Sequence, residues 1–184
     1  MRLAPSLHRI GNDIVAAYLI VTPEGITLVD AGLPGMYSDL TRELDAIGRS
    51  LDDIRGILLT HGDSDHVGFA ERLRAERGIP VFVHAADADR ARGGDKPKTP
   101  MGSTRIGPLL QFAAYGIRKG MRPTWLTEVR EVTDGDTLDL PGAPRVMSMP
   151  GHSPGSIAIF SPDVRAVFVG DALTTRHVLT GRTG

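Results

Sequence analysis

A chain of 184 residues with 41% hydrophobic and 23% charged residues is long enough for one domain with a sizeable core and has the balance of a globular protein. Its formal net charge of −1 excludes a general attraction to nucleic acid or to a membrane surface. With no cysteine, disulfides and thiolate metal sites are excluded, and any metal must rest on histidine and carboxylate.

The N-terminal stretch MRLAPSLHRIGND has no long apolar segment of the secretory type. No apolar run approaches the roughly 18 residues of a membrane span, so the expected location is the cytoplasm. His8 in this stretch is expected to be exposed. Ile14 to Val21, a Pro-Glu-Gly turn, and Ile26 to Val29 read as a hairpin rich in β-branched residues. Leu40, Leu44 and Ile47 follow at helical spacing, with Gly48 as the stop. IRGILLT is a short apolar strand. A helix is expected from about Asp65 to Arg77, with Val67, Ala70 and Leu73 on one face and Gly78 after it. IPVFVH is the next strand. Strands alternating with helices in this way predict an α/β architecture, helices covering a sheet.

Residues 92–125 break the alternation. A Gly/Pro/Lys-rich stretch leads into LLQFAAYGIRK, an amphipathic helix expected to pack through Leu110, Ala114 and Ile117. Such an interruption within one domain predicts an insertion or lid over the functional site. Beyond it the chain is again β-rich, in EVTDGDTLDL, RVMSMPG and SIAIFSPDVRAVFVGDA. YLIVTPEGITLVDAG and IAIFSPDVRAVFVGDA share one design: apolar strand, Pro-containing turn, apolar strand, then an aspartate beside glycine, Asp30 and Asp171. The two halves read as related units that each build a sheet. The helix and strand that follow the first unit have no counterpart before the end at Gly184, so a truncated C-terminus is expected.

The chemistry concentrates in HGDSDHVG, which sets His61, Asp63, Asp65 and His66 directly after an apolar strand. His152 in MPGHSPGS and Asp171 in FVGDA also follow short strands. Strand ends of such sheets open onto a common edge where sites form. Imidazole and carboxylate suit first-row divalent metals, and three of each can hold two ions. Any one aspartate of the loop could instead cap the following helix. Six metal-type residues at three strand ends favour the metal reading.

These residues also resemble a known family. THGDSDHVG is similar to the T-H-x-H-x-D-H-x-G signature of the metallo-β-lactamase-fold hydrolases, LVDAG to their first motif, PGHSPGS to the third and FVGDA to the fourth. The resemblance implies a single domain over 1–184 with an αββα sandwich, here lacking its last helix and strand. It implies that Asp30 shapes the site without binding metal. It also implies that His61, Asp63 and His152 hold one ion, and that Asp65, His66 and a shared Asp171 hold a second with one ligand missing. Asp65 would further orient the nucleophile.

Asp63 stands where the family has histidine. It either binds metal, making the site more anionic and shifting preference from zinc towards manganese or iron, or hydrogen-bonds a bound water. The implied function is a hydrolase with one or two divalent ions, zinc foremost. It would use metal-bound water to cleave a small-molecule ester, thioester or lactone, with neither nucleic-acid nor membrane partners. A non-catalytic metal- or ligand-binding relative and a di-iron redox relative are the alternatives. Tyr115, Arg118, Trp125, Arg176 and His177 are candidate substrate contacts, and His84 a structural neighbour of the site.

Overall fold

The computed structural model describes residues 1–94 and 106–173. Seven strands form one sheet in sequence order: β1 Arg2–Ala4, β2 Leu7–Gly11, β3 Ala16–Thr22, β4 Gly25–Val29, β5 Ile54–Leu58, β6 Val81–His84 and β7 Arg130–Val132. Pairing is antiparallel from β1 to β4 and parallel from β4 to β7. β8 Arg145–Ser148, β9 Ile157–Ser161 and β10 Ala166–Phe168 form a second, antiparallel sheet with β9 in the centre.

Alternation along the strands divides the core in two. Leu19, Leu28, Ile57 and Leu59 pack with residues of the helices, among them Leu40 and Leu44 of α1 (Tyr37–Ala46), Val67 of α2 (Ser64–Val67), Leu73 of α3 (Ala70–Arg77) and Ala88 and Ala91 of α4 (Ala88–Ala91). Their neighbours Ile20, Val29 and Leu58 pack with Val146, Ile157, Ile159 and Phe168 of the second sheet. The described layers are therefore helix, sheet, sheet. Central strand β4 is buried at every residue, and its one polar side chain, Thr27, donates to the Pro141 carbonyl at 2.7 Å.

Both hairpins expected from the repeated design are present, β3 with β4 and β9 with β10. The N-terminal strands were not foreseen, and they bury His8. Its Nδ1 lies 2.7 Å from Glu43 Oε1, so a hydrogen-bond partner on α1 keeps inside a residue expected at the surface. β7, from the second half of the sequence, completes the first sheet and not the second.

Helix α5 (Ile106–Lys119) also packs differently from expectation. Leu110 and Ile117 are 63% and 80% exposed, whereas Phe112 and Tyr115 pack on the helix-side core. The aromatic stripe offers more area to bury than the aliphatic one. Lys119, one turn beyond Tyr115, fixes the same face by donating to Asp39 at 2.6 Å.

The expected helix over 65–77 is two pieces. Between α2 and α3, Gly68 adopts φ +26° and its Cα presses on the Ala31–Gly32 backbone, where a Cβ would lie 1.9 Å from the Gly32 carbonyl oxygen. The break lets the Ala31 amide donate to the His66 carbonyl at 2.7 Å and the Phe69 amide to that of Ala31 at 3.3 Å. It docks the loop after β5 onto the loop after β4. Gly68→Ala is expected to lower stability by more than about 2 kcal/mol, read from the urea unfolding midpoint. A change below about 0.5 kcal/mol would mean the two loops do not need this contact.

Candidate metal centre

Every candidate metal ligand of the described residues, and Asp30, follows a strand end. His61, Asp63, Asp65 and His66 follow β5, Asp30 follows β4, His152 follows β8 and Asp171 follows β10. The Ile157 amide, at the start of β9, donates to the Thr60 carbonyl at 2.9 Å, joining the second sheet to the His61 loop.

Two groups of side chains offer ligand atoms within 4.8 Å of one another: His61, His66 and Asp171, and His61, Asp63 and His152. The rings of His61 and His66 have centroids 3.9 Å apart, and His152 stands edge-on to His61 at 4.7 Å. Asp65, in the first turn of α2, belongs to neither group among the described residues.

The protonation of His61 follows from Thr60. The Thr60 hydroxyl lies 2.9 Å from Asp30 Oδ2 and 3.1 Å from His61 Nδ1. A carboxylate only accepts and a hydroxyl has one proton, so Thr60 donates to Asp30 and accepts from the His61 Nδ1–H. Nε2 is left with its lone pair; it is buried 3.5 Å from Asp63 Oδ2 and has no hydrogen-bond partner among the described residues. Burial, and after it the neighbouring His66, lowers the His61 pKa, which favours this neutral form. A buried, neutral imidazole with its lone pair facing a carboxylate and another imidazole is a donor suited to a divalent cation, so the residues fit the metal that the motifs imply.

Asp30 organises the rest. It is buried, holds φ +60°, accepts from the Thr60 amide at 2.8 Å and lies 2.9 Å from His66 Nδ1. With Nδ1–H fixed there, His66 turns Nε2 towards Asp171 Oδ1 at 3.4 Å. Burial works against a charged His66, but Asp30 and Asp171 outweigh it and raise its pKa well above the usual value. Burial likewise opposes a charged Asp171, yet His66, with His61 and His152, holds that carboxyl far below its ordinary range.

Asp63 has a partner that the sequence did not announce. Arg90 of α4 grips both its oxygens, Nε to Oδ1 at 2.8 Å and Nη2 to Oδ2 at 2.9 Å. His152 Nε2 lies 3.0 Å from the same Oδ2, and this bond raises the His152 pKa against partial burial. Asp63 occupies the N-cap position of α2 without making a side-chain cap bond. Its carboxylate is turned to Arg90.

Three residues before Arg90, Asp87 is fully buried and accepts from the Gly62 amide at 2.9 Å, the Ser153 hydroxyl at 2.7 Å and the Gly155 amide at 2.8 Å. It therefore ties the His61 loop to the His152 loop. Both glycines let the backbone close on this turn: a Cβ on Gly62 would lie 2.7 Å from the Ala91 nitrogen and one on Gly155 2.6 Å from that of Asp87. Nothing in HAADADR beyond its i, i+3 spacing marks Asp87 and Arg90 as site residues.

The remaining candidates lie further out. His84 accepts from the Ala86 amide through Nδ1 at 3.2 Å, capping the turn that carries Asp87. Tyr115 and Trp125 pack on the helix-side core and Arg118 is exposed. Arg176 and His177 lie outside the described residues, as do residues 95–105 of the expected lid.

Comparison with known proteins gives consistent findings. A family model described as the metallo-beta-lactamase superfamily matches residues 10–183. The probable metallo-hydrolase YflN of Bacillus subtilis is 23% identical over 175 residues, which cover 94% of this chain and 66% of that protein. A hydroxyacylglutathione hydrolase of Cereibacter sphaeroides is 33% identical over 118 residues, 64% of this chain and 33% of that protein. Among solved structures, a Cronobacter sakazakii metallo-β-lactamase described by its HARLDQ motif superposes with a TM-score of 0.67 at 26% identity, over 86% of this chain and 58% of that one. The chain thus spans less than two thirds of the length of each of these relatives.

Asp87→Ala would leave the buried Gly62 and Gly155 amides without their acceptor and the Ser153 hydroxyl with only Ser156 Oγ, 2.8 Å away. It is expected to cost about 3 kcal/mol or more in denaturant unfolding and to weaken zinc binding, because both ligand loops lose their common anchor. Unfolding and zinc affinity both matching the wild type would remove Asp87 from this role.

Proposed function

This chain belongs to the metallo-β-lactamase superfamily, and on that premise we propose that it is a metal-dependent hydrolase, with zinc as the metal, that cleaves a small-molecule ester, thioester or lactone. The observation that carries the proposal is His61 Nε2, a buried lone pair without a hydrogen-bond partner among the described residues, placed among His66, Asp171, Asp63 and His152. When bound, a divalent cation there supplies Lewis acidity towards an acyl oxygen and makes water acidic enough to serve as nucleophile near neutral pH.

The chain's own residues set the conditions for that chemistry. Asp30 and Thr60 fix the tautomers and ring orientations of His66 and His61 from behind. His152 is the more open histidine, its side chain 27% exposed, and it can hold a proton at Nε2 against Asp63. Asp171 presents its carboxylate, about a third exposed, to the same space. The net charge of −1 offers no general attraction for nucleic acid or lipid headgroups, which favours a small substrate. No helix of the described residues is long and apolar enough to cross a membrane. The relative named hydroxyacylglutathione hydrolase supports an acyl–sulfur or acyl–oxygen bond as the target.

The test is a panel of simple thioesters, esters and lactones offered to the zinc-loaded full chain. Turnover of at least one class is expected, lost on chelation and restored by zinc. His61→Ala is expected to lower kcat/KM by about 100-fold or more. A zinc-loaded protein inert towards every class, or a His61→Ala variant as active as the wild type, would refute the reading.

A further inference from the structure

We infer that the centre holds one divalent ion, at His61, His66 and Asp171, and that Arg90 keeps Asp63 out of its ligand set. The inference rests on the metal-dependent reading above and concerns which side chains take the ion.

Two independent observations carry it. The first is the state of Asp63. A ligand carboxylate needs a lone pair directed at the ion and gains from a site free of other cations. Both oxygens of Asp63 are engaged by the Arg90 guanidinium in a two-point contact, the geometry for which arginine is best suited. The two side chains are only 8% and 16% exposed, so water screens the guanidinium poorly, and an ion placed on Asp63 would sit against a fixed positive charge. Asp63 spends its charge on Arg90 and aims His152, whose Nε2 it meets at 3.0 Å. It is a positioning residue and not a ligand.

The second observation is that both candidate groups among the described residues require His61. Its Nδ1 is committed to Thr60, which leaves Nε2 as the only donor, and one imidazole lone pair binds one ion. The group with His66 and Asp171 has the stronger claim. Its carboxylate faces histidines and no arginine among the described residues, and the two imidazoles are oriented by Asp30 and Thr60 acting together. Two imidazoles and a carboxylate also suit zinc, with a coordination position left open.

The deciding measurement is zinc and, separately, cobalt(II) binding by the chelator-stripped full chain, followed by isothermal titration and by metal analysis after desalting. The wild type is expected to bind one equivalent. Asp63→Asn combined with Arg90→Met removes the pair without changing net charge, and it is expected to leave both stoichiometry and Kd unchanged. Asp171→Asn and His66→Ala are each expected to weaken binding beyond the roughly tenfold cost of losing an outer partner. Arg90→Met alone removes the competing cation and is expected to tighten binding roughly tenfold, which a merely structural arginine would not do.

Two equivalents in the wild type, or a double variant that loses as much affinity as Asp171→Asn, would overturn the inference while leaving a metal-dependent enzyme standing. Failure to bind any ion would overturn both. Should the double variant not fold, the wild-type stoichiometry still decides.

Discussion

The buried carboxylate of Asp87 is the constraint on which the site depends. One loop leaves the first sheet after β5 and carries His61. Another leaves the second sheet after β8 and carries His152. Apolar packing between sheets sets their distance but is non-directional, and it cannot by itself hold two loops in register at the sandwich edge. Asp87 does so by accepting hydrogen bonds from both loops at once. Because it is fully buried, each of these bonds is costly to break. The close approach of Gly62 and Gly155 to the same turn shows how little space separates the three segments.

Around that anchor, opposite charges are matched in a fixed order. Asp30 faces His66, His66 faces Asp171, and Asp63 stands between Arg90 and His152. Like charges crowded at one sheet edge would repel strongly in a medium of low polarisability. Burial opposes the charge on Asp171, yet His66, with His61 and His152, holds that carboxyl low. His61 is different: it is buried, and its Nε2, 3.5 Å from Asp63 Oδ2, has no hydrogen-bond partner among the described residues.

Burial was decided in several places by partners remote in sequence. His8 is inside because Glu43 lies 2.7 Å away across the first layer. On α5 the aromatic face and Lys119 dock, while Leu110 and Ile117 remain outside. Periodicity identifies that a helix exists, but where two apolar stripes compete the outcome depends on which neighbour waits for each. The break at Gly68 has the same origin. The residue pattern of 65–77 is helical throughout, and the contact with Ala31 and Gly32 overrides it.

By itself the sequence determined the α/β class, both apolar hairpins, the positions of the strand ends and the presence of His61, His66, His152 and Asp171 at those ends. These are properties of local pattern: alternation, apolar runs, turn residues and motif spacing act within a few residues of one another. Only the tertiary structure decided the partners. Arg90 on Asp63, Asp87 across two loops and Thr60 between Asp30 and His61 join residues by contacts that no local period encodes. Asp63 shows the difference most plainly. Its departure from the family motif is visible in the sequence, but whether it meets a metal or a guanidinium is an electrostatic outcome. That outcome depends on which side chain the fold brings within 3 Å of it.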